Sequence, residues 1–145
     1  MTNKQIIVLR EIKRILKDDT DAQFVGYYPD DVNEIGNRYY TCLVQDGDEI
    51  TDTNSGRRTN TEWTVSVWFY TNVVKNRIEA VLDIQTAIMD AVLDNQSLGG
   101  KCVQIQPVDI EKGDYASDLD EYSPGFYSPM TIRKINFTIR IDDVR

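Results

Sequence analysis

The chain has 145 residues, 41% of them hydrophobic, with 16 basic against 24 acidic side chains, two cysteines and no histidine. Such a length fits one domain able to bury about two-thirds of its unfolded surface, and the apolar and aromatic content excludes global disorder. The net charge of −8 repels phosphates and anionic lipid at long range, and the lack of histidine removes every His-dependent triad and zinc site.

In chain order, residues 3 to about 17 read as a first helix. Val8, Ile12 and Ile15 recur with Leu9 and Leu16 at spacings of three and four, and Lys4, Arg10, Glu11, Lys13, Arg14 and Lys17 fill the other face. Thr2 with Gln5 has the form of a capping box, and the polar cluster Asp18, Asp19, Thr20, Asp21 is expected to end the helix. A short strand follows from Gln23 to Tyr28, broken by Pro29 and Asp30-Asp31. Gly36-Asn37 supplies a turn before a second strand, Tyr39 to Gln45. Residues 46 to 60 combine glycine, asparagine, threonine and charge without an apolar period, so a long exposed loop is expected there.

The clearest alternation runs from Thr61 to Tyr70. Trp63, Val65, Val67 and Phe69 take one face, and Glu62, Thr64, Ser66, Trp68 and Tyr70 take the other, which Trp68 and Tyr70 make partly apolar. After Thr71-Asn72 a helix is predicted to about Asp94, with a core stripe of Ile78, Val81, Leu82, Ile88, Met89 and Val92. A narrower stripe of Ala80, Ile84, Ala87 and Ala91 lies beside it, fit for a close helix-to-sheet contact or a seam between subunits. Gly99-Gly100 stops the chain, and Lys101 to Gln106 begins a fourth strand that Pro107 marks as an edge or a bulge. Residues 111 to 129 hold five acids, three tyrosines, two prolines and two glycines and are expected as a surface excursion. The last strand is Thr131 to Ile141, with Arg133, Ile135, Phe137, Ile139 and Ile141 on one face.

This order predicts an α+β fold in one domain: a mixed, mostly antiparallel sheet of about five strands with two helices packed on one face, which buries both apolar stripes. No stretch has the roughly 20 apolar residues of a membrane span, and the N-terminus lacks the apolar run of a signal peptide, so a protein working in solution is expected. Cys42 and Cys102 are too few for a disulfide framework or a thiolate metal cage and read as buried thiols of a cytosolic protein; whether they pair is left open.

The charged clusters lack the spacing that catalytic or metal-binding motifs require. Pro29-Asp30 could open a metal-dependent nuclease motif, but no acid and lysine two residues apart follow it, and the one Glu-x-Lys, Glu11 to Lys13, precedes it. Asp52 to Gly56 resembles the start of a calcium loop, yet its glycine stands at position five and Trp63 occupies position twelve. Gly99-Gly100-Lys101 lacks the upstream glycine and following hydroxyl of a phosphate loop. Arg57-Arg58 with Lys75 and Arg77, and the acidic run Asp109, Glu111, Asp114, Asp118, Asp120, Glu121, read as solvated charge. No catalytic, cofactor-binding or metal residue is assigned, and the expectation is a protein that is not an enzyme and needs no cofactor. Tyr115, Tyr122, Phe126 and Tyr127 give the acidic segment anchors suited to a neighbouring molecule.

The order of an N-terminal helix, a short strand, a hairpin through Tyr39 to Gln45 and Thr61 to Tyr70, a helix Val74 to Asp94 and a final strand Thr131 to Ile141 resembles tail terminator and tail-completion proteins of long-tailed bacteriophages. The resemblance spans nearly the whole chain in element order, length and acidity. It implies a homohexameric ring in the virion, at the head-proximal end of the tail. That ring would cap the tail tube protein, stop its polymerisation and offer a docking surface to a head-completion or connector protein. DNA would pass through the lumen without specific binding, and no membrane is involved. The alternatives are another neck, connector or tail tube subunit, and, from a different class, a monomeric acidic binding module of the inhibitor or immunity type.

Overall fold

A computed structural model describes residues 3–36, 38–54, 58–73, 75–95, 98, 104–114 and 130–144, with the backbone alone for 51–54, 58–60, 113–114 and 142–144. Helix α1 (Lys4–Asp19) buries Val8, Ile12, Ile15 and Leu16, the predicted apolar stripe. Its cap is Asn3, whose Oδ1 accepts from the Gln5 N–H at 2.9 Å and the Ile6 N–H at 3.2 Å. This corrects the expected Thr2 capping box; Thr2 lies outside the described residues. The helix also outlasts its predicted end, because Arg14 reaches Asp18 one turn on, at 3.1 Å, and the Thr20 hydroxyl donates to the Leu16 carbonyl. An i,i+4 ion pair and a hydroxyl cap together outweigh the turn preference of Asp18 and Asp19.

The strands are β1 (Phe24–Tyr28), β2 (Tyr40–Asn54), β3 (Arg58–Thr71), β4 (Gln104–Asp114) and β5 (Thr131–Val144), and α2 (Arg77–Leu93) joins β3 to β4. They form one five-stranded sheet in the order β1-β2-β3-β5-β4, in which only the β1–β2 pair is parallel. Both helices lie on one face, sharing a core with Cys42, Val44, Trp63, Val65, Val67, Phe69, Ile105, Ile135, Phe137 and Ile139. The α+β architecture is therefore the one the element order predicted.

The largest departure concerns residues 46 to 60. They are not a long loop: β2 continues to Asn54 and β3 begins at Arg58, so the hairpin runs out as paired strands, and β5 follows beside it with Val144 opposite Arg58. Polar residues hid this, since the sequence from 46 to 60 lacks the apolar alternation that marks a strand. A β-bulge lies between Asp46 and Glu49, where Gly47 and Asp48 together oppose Thr64. The extra residue corrects the parity of β2, returning Glu49 to the helix face, where its carboxylate meets the Gln5 side chain at the start of α1. Trp63, paired with Glu49, is buried and donates its indole N–H to Asp46 Oδ1 at 2.6 Å.

Helix α2 also departs from its predicted stripe. It buries Val81, Ile84, Ile88, Ala91 and Val92, one face drawn from both predicted stripes, while Ile78 is 73% and Leu82 41% exposed. The two stripes are adjacent on the helix, and the sheet settles which angle is inward. Ala91 belongs to the core, Ala80 is half-buried and Ala87 is exposed. Pro107 sits at a bulge on the edge strand β4, which continues past it to Asp114. Residues 115–129 and the Gly99-Gly100-Lys101 stop lie outside the described residues.

Candidate assembly surfaces

The face of the sheet opposite the helices carries an aromatic stack. Tyr28 of β1 and Trp68 of β3 lie on strands that flank β2, about 9.5 Å apart by strand spacing, yet their ring centroids are 4.8 Å apart at an interplanar angle of 18°. The rings therefore lean toward each other above β2, and Leu43, in register with Trp68 and with Gly26, is fully buried beneath them. Tyr70 extends the stack at 6.4 Å, Lys134 Nζ lies 5.2 Å from the Trp68 ring centroid, and the Trp68 indole donates to Gln45 Oε1 at 2.7 Å. The partly apolar second face expected from Trp68 and Tyr70 is thus a built surface, with a polar partner for the indole.

Beside it, on β5, Asn136 is nearly buried and ties three strands together. Ser66 Oγ donates to its Oδ1 at 2.5 Å, and its Nδ2 donates to Asp109 Oδ1 at 2.7 Å and Glu111 Oε2 at 2.9 Å. Lys134 Nζ stands 3.5 Å from Glu111. The first two acids of the run predicted to be solvated therefore anchor the edge strand β4; of Asp114 only the backbone is described, and the members from Asp118 onward lie outside the described residues. A neutral amide donating to two carboxylates needs no metal to hold them, and among the described residues no cluster of three metal-ligating side chains occurs.

The β1 edge is closed by its own chain. Both backbone groups of Tyr27 are taken by Asp31: the Tyr27 N–H donates to Asp31 Oδ2 at 2.7 Å, and the Asp31 N–H donates to the Tyr27 carbonyl at 2.8 Å. Gly26 makes room for this, since a Cβ there would stand 2.5 Å from Asp31 Oδ2. On the opposite edge, β4 carries the Pro107 bulge with Asp109, Glu111 and Lys112, devices that disfavour strand addition. Strand addition is thus opposed at Tyr27 of β1 and along β4.

Two further surface features are complementary in kind. A groove of about 290 Å³ opens between the first turns of α1, the carboxyl end of β1 and the middle of β2, lined by Ile6, Leu9, Tyr27 and Val44 with Arg10, Asp30 and Asp46. Asp30, the acid of the discarded nuclease motif, is an exposed rim residue there. Beyond the end of β3, α2 starts from Asn76, which adopts a left-handed backbone at φ 54°, and presents Ile78 and Leu82 outward beside Lys75 and Arg77. The basic residues read as solvated charge lie apart, since Arg58 is at the far tip of the hairpin and Arg77 beyond the other end of β3; Arg57 lies outside the described residues.

Desolvation in the core pushes the Cys42 thiol up to about 12, so it stays protonated and unreactive, and burial, with Cys42 alongside, raises the Tyr40 hydroxyl as well. Cys42 is buried, as expected, and its thiol is free; Cys102 lies outside the described residues. The segment that resembled a calcium loop is strand through Asn54. Sequence reasoning missed Asp31 and Asn136; Gly26 within a strand was the one signal pointing to the first, since such a glycine marks a close backbone or side-chain approach.

No family model matches the chain, and no curated protein matches it. Among solved structures it is similar to the sheath/tube terminator of an extracellular contractile injection system (PVC), seen by cryo-electron microscopy in the extended state, with a TM-score of 0.54 at 10% sequence identity. The superposition covers 100% of this chain and 58% of that terminator, so the chain spans little more than half of its length. At this identity the likeness is one of fold: the whole chain adopts an arrangement found in a tube terminator.

Proposed function

We propose that this chain is a structural subunit that terminates a tail-type tube, working by shape and contact with no bond made or broken. The observation that carries the reading is the match of the entire fold to part of a sheath/tube terminator. The surfaces described above are consistent with it: a β1 edge capped by Asp31, a bulged and charged β4 edge, an aromatic face and a hairpin paired out to Asn54 and Arg58. In this reading copies close into a ring, with six as the expected number, that sits on the last layer of tube subunits and ends their polymerisation. In a phage the outer surface of the ring receives a connector protein, and an acidic wall lets DNA pass without adhering.

The test is polymerisation of tube protein from the same gene cluster with increasing amounts of this protein, followed by negative-stain electron microscopy. Tubes that shorten in proportion to the added protein and carry a cap at one end support the proposal. A protein that stays monomeric at high concentration and leaves tube length unchanged refutes it and favours an acidic binding module instead. Turnover of a substrate would refute it equally.

A further inference from the structure

Resting on that reading, we infer that copies of this chain join head to tail, the start of α2 from one copy seating in the groove beside α1 of the next. The start of α2 presents two aliphatic side chains four residues apart, Ile78 at 73% and Leu82 at 41% exposure, which stand about 6 Å apart along one helix face. That is the spacing by which a helix engages an apolar groove. The groove offers Ile6 and Leu9 over buried Val44, and its volume of about 290 Å³ has room for two aliphatic side chains.

Charge matches as well. Lys75 and Arg77 flank the projecting residues, and Asp30 and Asp46 rim the groove. The acids on the exposed side of α2, Glu79 and Asp83, have Arg10 of the groove as their counterpart. Position excludes a contact within one copy. Tyr28 and Asp46 lie where β1 finishes, midway along β2, whereas α2 starts where β3 finishes at Thr71, opposite Tyr40 at the beginning of β2. Two different patches at separate levels of the sheet make a heterologous contact, which closes into a ring when the rotation between copies is a whole fraction of a turn. The guarded edges of β1 and β4 leave this route open while opposing strand addition.

The experiment uses two full-length variants. Ile78→Glu with Leu82→Glu disables the projecting side, and Ile6→Glu disables the groove. All three positions are exposed, so both variants should keep the circular dichroism spectrum and melting behaviour of the parent. Each alone should self-associate at least about a hundredfold more weakly, because a carboxylate would have to enter an apolar contact. Mixed in equal amounts they should give dimers and nothing larger by light scattering, since each partner retains one working patch. Parent rings that persist in both variants, or a mixture no different from its components, would overturn the inference while leaving tube termination intact. A parent protein that neither self-associates nor caps tubes would remove both.

Discussion

Replacing Gly47 with alanine tests the bulge that governs the β2–β3 hairpin. A Cβ at this position would stand 2.6 Å from the Thr64 carbonyl oxygen, inside van der Waals contact. The obstacle is backbone in a central strand, paired with β5 through Thr138, so it cannot swing aside as a side-chain tip would. Overpacking against such a wall costs about 2–3 kcal/mol. With an unfolding entropy of about 2.1 cal/mol/K per residue, a chain of this size loses about 3 °C per kcal/mol, giving a fall of about 7–10 °C. Thermal melts by circular dichroism, paired with urea titrations to check for an unchanged m-value, measure it. The neighbouring Asp48→Ala, at an exposed position of the same bulge, is the control and should stay within about 0.5 kcal/mol. A Gly47→Ala protein melting within about 2 °C of the parent would refute the argument that the bulge is sterically closed.

Three other outcomes follow from the geometry. Trp68→Ala removes the roof over Leu43 and the indole bond to Gln45, and should cost about 3 kcal/mol, read by urea denaturation, with Trp68→Phe recovering more than half of it. Asn136→Asp replaces the amide that donates to Asp109 and Glu111 by a third carboxylate; it should destabilise the fold by about 2–3 kcal/mol at neutral pH and less near pH 4, where carboxylates protonate. Cys42 gives an alkaline signature. Its folded value, about 12, lies above the unfolded value of 9.0, so the buried thiol contributes stability that is complete below pH 9 and is lost as pH rises from 9 toward 12. Melting temperature should fall across that window, less steeply in Cys42→Ala, and Cys42 in the folded parent should resist alkylation at pH 8.

The alternation of Trp63, Val65, Val67 and Phe69, and of Ile135, Phe137, Ile139 and Ile141, was enough to locate the two central strands and their inward faces, because a two-residue period against one buried face admits a single solution. Val8, Ile12, Ile15 and Leu16 likewise declared α1. With two apolar helical stripes and several strands to bury, the α+β class followed from composition and order. What lay beyond the sequence were features decided by neighbours far along the chain. Residues 46 to 54 form strand because β3, itself held by β5, offers hydrogen-bond partners, and no local apolar pattern announces that. Ile78 and Leu82 read as core because they are apolar at helical spacing; their exposure depends on which angle of α2 faces the sheet, and that face is the one with Val81, Ile84 and Ile88. The roof over Leu43, the Asn136 bonds to β4 and the Asp31 closure of β1 each join strands or turns whose proximity only chain folding creates. Periodicity records which face of an element is wet, whereas contacts across a sheet depend on register and strand order, and those are properties of the assembled tertiary structure.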